Sequence, residues 1–257
     1  MSIKKCVSLS WVFCLGLGGQ IQAQTVGNTA PLPQRFPDLV SRVKHGHAVL
    51  QLGGYWSNQG KSQDIAISGL VGDRFTVTQS NASNGLVGLG WFVDGQEYTR
   101  VALSYGLNAF YLAPTSVTGN VVQEHLFTNL SYSYRLTHYP LYAIAKANFI
   151  TKIPKVNLTL DAGIGPNFMR TDGFKEHSLD GITIADNIFS SKTNTTFSAT
   201  IGVGVKFNQV FGNAPLECSY RFFYLGQGNF NAVTNQTLNS LSTGQDFGNA
   251  LICSITV

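Results

Sequence analysis

The stretch TTFSATIGVGVKF, residues 195–207, decides the fold by its alternation. Phe197, Ala199, Ile201, Val203, Val205 and Phe207 fall on one side of an extended chain, and Thr196, Ser198, Thr200, Gly202, Gly204 and Lys206 on the other. Successive side chains of a strand point to opposite faces, so this is a strand with one apolar and one polar side. A soluble β-domain and a membrane barrel both produce that pattern. The question is which face meets lipid.

The pattern recurs along the chain. In KVNLTLDAGIGPNF (155–168), Val156, Leu158, Leu160, Ala162 and Ile164 alternate with Asn157, Thr159, Asp161, Gly163 and Gly165. LYAIAKANF (141–149) and RVALSYGLNAFY (100–111) read the same way. Turn residues bound further strands at 46–57, 62–78, 85–93, 117–136, 215–229 and 247–257. The sum is ten, and merging a hairpin within 62–93, where Gly69 and Gly72 interrupt the pattern, would give eight. An even count puts both barrel ends on one side, with long outer loops and short inner turns. Segments 171–193 and 230–246 then lie outside, and 153–155 and 212–215 are inner turns.

Only 12% of the 257 residues are charged, against a usual quarter or so, while aromatics reach 12% and glycines number 27. A net charge of +4 with no basic block excludes nucleic acid as a partner. Lys4 and Lys5, the apolar run Val7 to Leu17 and the small residue Ala23 form a signal peptide, 1–23, cleaved after Ala23. A membrane anchor would need about 20 apolar residues. Residues 24–45, with Pro31, Pro33 and Pro37, read as a periplasmic tail or small plug, and 46–257 as the barrel.

Beyond the leader the cysteines are Cys218 and Cys253, too few for a disulfide scaffold or a metal cluster. Both fall on the lipid-side register of the last two strands. A disulfide between them requires direct opposition with Cα atoms roughly 5.5 Å apart, and two unpaired thiols acting as small apolar residues are the favoured expectation. No cofactor is expected.

The polar face settles the orientation. It is mostly Gly, Ser, Thr and Asn, with isolated charges at Arg100, Arg135, Lys146, Asp161, Lys206, Glu217 and Arg221. That is too few charges for a water-facing surface but suits the lining of a narrow lumen. Strands in lipid must pair every backbone group, which requires closure into a barrel. Glycines at 88, 90, 163, 165, 202 and 204 make room for long inner side chains. Across the turn near Pro154, Lys146 and Asp161 are expected to form an ion pair. Aromatics at Tyr55, Trp56, Trp91, Tyr98, Phe110, Tyr111, Tyr132, Tyr134, Phe168, Phe207, Phe211 and Tyr224 gather toward strand ends, where amphipathic rings mark a membrane boundary.

From about Gly46 to Val257 the chain resembles a family of gammaproteobacterial outer-membrane β-barrels, akin to the small opacity-protein-like and OmpW-like barrels. The segments SGLVGDRFTVT, LFTNLSYSYRLTHYPLYAIAK, LTLDAGIGPNFM and LECSYRFFYLG carry the resemblance. It implies residence in the outer membrane without an established activity. The chain departs from that family at its last residue, Val257 where Phe or Trp is usual.

The first functional reading is a non-enzymatic barrel whose loops 171–193 and 230–246 meet a host or surface ligand. Its other partners would be outer-membrane lipid and lipopolysaccharide, periplasmic chaperones and the barrel-assembly machinery. A second reading is a passage for small or hydrophobic solutes. A third is a hydrolase using His177 and Ser178, although neighbouring side chains on a strand point apart, which argues against direct activation.

Overall fold

A computed structural model describes residues 46–257 except 154 and 213, so the expected signal peptide, its cleavage after Ala23 and the 24–45 tail lie outside the described residues. In chain order the strands are β1 (His47–Asn58), β2 (Gln63–Ile65), β3 (Asp73–Gln79), β4 (Asn81–Glu97), β5 (Val101–Gln123) and β6 (Phe127–Ile150). There follow β7 (Val156–Ser178), β8 (Phe189–Ser190), β9 (Lys192–Phe211), β10 (Ala214–Asn229), β11 (Asn231–Ala232) and β12 (Ser242–Thr256).

All pairings are antiparallel, and one sheet holds ten strands. Eight of the ten close the ring: β1, β4, β5, β6, β7, β9, β10 and β12, with β1 paired to both β4 and β12. The other two, β2 and β3, form a flap that extends the sheet along the far end of β5. The span 117–136, expected as one strand, is broken by a tight turn at 124–126, which joins β5 to β6. Glu124 and His125 both take positive φ there (51° and 59°), the twist that a two-residue hairpin turn requires.

The connections from β4 to β5, β6 to β7 and β9 to β10 share one end with both edges of the described chain, where Ala48 and Val257 exchange backbone hydrogen bonds. The connections 59–80, 124–126, 179–191 and 230–241 share the other end. The expected grouping of long and short connections therefore holds.

The outer wall carries a continuous apolar belt. Leu52, Leu107, Ile164 and Leu251 are each more than half exposed. Trp91, Tyr105, Phe149 and Phe207 project from its turn-side margin, and Trp56, Tyr111, Tyr139, Phe168 and Phe197 from its loop-side margin. Such a belt between two aromatic girdles is a lipid-facing surface, and the fold is an antiparallel transmembrane β-barrel. Of the aromatics read as boundary residues, Tyr55, Phe110, Tyr132 and Tyr134 instead point inward and are buried, because each stands out of phase with the belt.

The central strands are far longer than a membrane needs. β5, β6 and β7 have 23, 24 and 23 residues, against about 9–11 for a crossing. Past the loop-side girdle the polarity of the wall inverts. On β5, Leu107, Ala109 and Tyr111 face out below it, whereas Val117 and Val121 face in above it and Ser116 is exposed. The phase changes at an irregularity between Leu112 and Thr115, where Pro114 has no N–H to give to a ladder.

The barrel therefore holds two cores. Within the membrane, Phe110, Tyr142 and Phe223 meet with ring centroids 5.4–6.2 Å apart, packed with Leu86, Leu112 and Leu225. Above it, Phe75, Tyr132, Tyr134, Phe174, Phe189 and Phe230 form a second aromatic core with Val117, Leu136 and Met169. Between the two sits a polar layer the sequence reading did not anticipate. Asn167 Nδ2 donates to Leu225 O (2.7 Å) and lies 3.1 Å from His138 Nδ1, and His138 Nε2 is 3.9 Å from Asp246 Oδ2. The bond to Leu225 O fixes the amide orientation, so Nδ1 accepts and Nε2 carries the proton toward Asp246.

Cys218 and Cys253 are directly opposed on β10 and β12, with Cα atoms 4.1 Å apart, and are joined by a disulfide. This corrects the expectation of two free thiols. The lipid-side register was right, but alternation alone does not give the relative stagger of two strands.

Candidate functional site

The charges expected in the lumen divide into two groups. Lys146, Asp161, Glu217 and Arg221 point inward, and Lys206 lines the same space near its turn-side mouth. Lys146 and Asp161 are direct cross-strand partners on β6 and β7, as the turn at Pro154 predicted. Their ionic partners are nevertheless both on β10: Lys146 Nζ lies 2.5 Å from Glu217 Oε2, and Arg221 Nη2 lies 2.6 Å from Asp161 Oδ1. Gly202 explains the exchange. It is the β9 neighbour of both Asp161 and Arg221, and a Cβ there would stand 2.9 Å from the Asp161 carboxylate and 3.1 Å from the guanidinium. The missing side chain lets the two charges meet across β9, so the room expected from the inner glycines is put to this use.

Arg100 and Arg135 are not in the lumen. Arg100 is exposed in the 98–100 turn, beyond the strand ends. Arg135 is exposed on the outer wall, paired with Asp172 at 3.0 Å. It lies above the girdle, where the polar face has become the outward one.

The lumen offers little free space. Near the short turns a cavity of about 70 Å³ lies among His47, Asp94, Lys146, Lys206 and Glu217. Above it, Arg221 lies over the Phe110 ring (5.6 Å) and the two aromatic cores follow.

The loop end is different. A cleft of about 560 Å³ opens there, a volume typical of small-ligand sites. All four loop-end connections build it. The flap gives Ile67, Leu70 and Asp73, and the 124–126 turn with its flanks gives Gln123, Glu124, Phe127 and Leu130. The β7–β9 connection and its flank give Glu176, Asp186 and Ile188, and the β10–β12 connection Thr234, Gln236 and Thr237. Four carboxylates thus face an apolar wall, with no lysine or arginine in the lining.

Three of these acids are held in place. Asp73 Oδ1 accepts from the Glu124 amide (3.0 Å), Glu124 Oε2 from the Val71 amide (3.0 Å) and Glu176 Oε2 from the Asn187 amide (2.9 Å). Asn187 Oδ1 in turn accepts from the Glu176 amide (2.9 Å). The connections are tied to one another by Ser68 N to Gln236 O (2.8 Å) and Val233 N to Ile188 O (2.9 Å). Burial pushes the carboxyl of Asp73 upward from the usual range, and the Glu124 carboxylate adds to this against the Glu124 amide bond. Burial likewise raises Glu176, and Asp186 and Asp73 add to it. Among the described residues no group of three or more His, Cys, Asp or Glu is placed to hold a metal ion.

His177 and Ser178 end β7 at this same end of the barrel. The Ser178 hydroxyl donates to Asp180 Oδ1 (2.8 Å) and accepts from the Gly181 amide (2.9 Å). Asp180, fed also by Thr183 and Ile182, is held well below the usual carboxylate range. The hydroxyl is thus part of a turn rather than the partner of an imidazole. Loop 171–193 is shorter than the sequence suggested, since 171–178 continues β7. Nothing in the pattern could have located the cleft, because its lining comes from four segments far apart in the chain.

No family model matches this sequence, and no curated protein matches it. Solved structures similar to it include the outer membrane protein OprG from Pseudomonas aeruginosa, 12% identical with a TM-score of 0.48 over 82% of this chain and 96% of that one. Neisserial surface protein A is 13% identical, with a TM-score of 0.42 over 82% and 96%. The outer membrane protease OmpT from Escherichia coli is 10% identical, with a TM-score of 0.42 over 82% and 94%.

Proposed function

We propose that the protein is a non-enzymatic outer-membrane barrel that binds ligands at the cell surface through the cleft at its loop end. The carrying observation is the contrast between the two ends. All four loop-end connections converge on one concave site, whereas the path beneath it is filled by two packed cores. A bacterial barrel of this kind has its longer loops outside and its short turns in the periplasm, which supports a cleft open to the cell exterior. Uncompensated carboxylates against Phe127, Leu130 and Ile188 suit a ligand with an apolar body and a positive charge. A basic amphipathic peptide segment has that chemistry.

Intact cells with and without the protein test this reading. A fluorescent peptide of alternating lysine and leucine should bind the cells that carry it. The glutamate analogue should not, and Glu176→Gln with Asp186→Asn should abolish binding while the barrel still folds. Equal binding by both peptides would reject the cleft as the site.

A further inference from the structure

A second charged feature lies on the outside of the wall, away from the cleft. On the surface of β6 and β7, Arg135 Nε and Nη2 both approach Asp172 Oδ1 at 3.0 Å, and Arg170 Nε lies 3.3 Å from Asp172 Oδ2. Asp172 so fixes the Arg135 guanidinium while leaving its Nη1 unengaged by that carboxylate. Beside it is a depression of about 330 Å³, lined by Ser116, Ser133, Tyr134, Arg135, Gly173 and Lys175. The lining thus combines two cations and two aliphatic hydroxyls with no carboxylate.

The local backbone is shaped for this arrangement. The β6–β7 register slips between Ser133 and Arg135, and Gly173 takes φ +65° at the slip. A Cβ on Gly173 would stand 3.0 Å from Arg135 Nε, so glycine is what lets the guanidinium lie over the backbone here. Bulges commonly re-aim a side chain in this manner.

Height identifies the class of ligand. Arg135 and Ser133 are four and six residues beyond the girdle residue Tyr139, about 13 and 20 Å along the strand. At a tilt of about 40° that is roughly 10–15 Å above the girdle. The phospholipid headgroup layer is only about 5–8 Å deep per leaflet. A phosphate in the depression must therefore be carried higher than a phospholipid carries it, on the sugars of a membrane-anchored glycolipid.

We propose that this depression binds a phosphate group of lipopolysaccharide. Arg135 and Lys175 pair with the phosphate, Ser116 and Ser133 donate to it, and Asp172 and Arg170 position Arg135. Charge-assisted bonds of this kind are the strong ones.

The full-length protein folded in detergent micelles tests the proposal, with bound lipid followed by native mass spectrometry. Purified lipopolysaccharide should bind, and the Arg135→Gln/Lys175→Gln pair should weaken binding about tenfold or more. Gly173→Ala should weaken it while removing no charge, and enzymatically dephosphorylated lipopolysaccharide should bind as poorly as the double variant. Heat-modified gel mobility confirms that each variant is folded. Unchanged binding in the folded double variant would overturn the proposal, as would equal binding of the dephosphorylated glycolipid. Phosphatidylglycerol or inorganic phosphate binding as tightly would overturn it too, by assigning the site to another source of phosphate.

Discussion

Removing Asp161 tests the reading of the lumen most directly. Asp161 and Arg221 are 3% and 4% exposed at their side chains, with Nη2 2.6 and 2.7 Å from the two carboxylate oxygens. Arg221 has one further polar contact, Nη1 to Thr200 Oγ1 at 3.3 Å, and its stacking on Phe110. In Asp161→Ala the guanidinium stays buried without its counter-charge, which should destabilise the barrel by about 3–5 kcal/mol. Arg221→Ala should act similarly by stranding the carboxylate. The double variant removes both charges and should fall short of the summed losses by at least about 2 kcal/mol. Lys146 is the informative control, because it faces Asp161 across the β6–β7 ladder yet pairs with Glu217. A Lys146–Asp161 cycle should therefore give a smaller coupling than the Arg221–Asp161 cycle. Gly202→Ala should destabilise by roughly 1–3 kcal/mol by wedging a methyl between the partners. Urea unfolding from lipid vesicles, followed by tryptophan fluorescence, measures every variant. A larger coupling to Lys146 than to Arg221 would refute the claim that glycine at 202 selects the partner.

Further outcomes are expected. With folded-state values raised, Asp73 and Glu176 hold protons that the unfolded chain has released, so their contribution to loop-end stability is complete below the ordinary carboxylate value and is lost as pH rises through the raised ones. Protection factors of the loop-end amides, corrected for the pH dependence of intrinsic exchange, should accordingly rise as pH falls through the raised carboxyl values, and the lysine–leucine peptide should bind less well over the same interval. Falling protection factors there would contradict the sign. Replacing Cys218 and Cys253 by Ser should lower stability by about 3–4 kcal/mol on the chain-entropy estimate for a separation of 35 residues, and unreduced protein should resist alkylation. Alkylation at both positions without reductant would show the thiols free. Planar bilayers should register no large, steady channels, since two aromatic cores stand in the path. Stable cation-selective conductance would require a different packing.

Much of the membrane segment was legible because lipid enforces a strict rule on one face. In 156–168 and 195–207 the alternation gave the strand, the face and the inward charges together. It gave Lys146 opposite Asp161 because a tight turn fixes register locally. It did not give the ion pairs, which reach over β9 for Arg221 and Asp161 and over both β7 and β9 for Lys146 and Glu217, a proximity that sequence distance says nothing about. The disulfide was missed for a related reason: β10 and β12 are separated by a long connection, so their stagger is set by ring closure rather than by a turn. Arg135 was misplaced because one rule was carried past the membrane boundary. There water is outside and the packed core inside, so the same polar–apolar alternation has the opposite meaning.

That inversion also says what the long strands do. A wall that merely crossed the bilayer could stop near Tyr111, Tyr139 and Phe168. Another stretch of about ten residues on β5, β6 and β7 becomes worthwhile only if its inner face can be buried, because an open tube of that height would expose apolar side chains to water on one side. Phe75 from the flap, Phe189 from β8 and Phe230 from the end of β10 supply the burial: Phe75 lies 5.1 Å from Tyr132, and Phe230 lies 5.0 Å from Tyr134. The loop-end connections are therefore core-forming segments, and the cleft is the depression left where they meet. Backbone amides within that packing orient the carboxylates of Asp73, Glu124 and Glu176 in advance of any ligand. A ligand bound there as proposed would meet three carboxylates already oriented, which lowers the ordering entropy lost on binding.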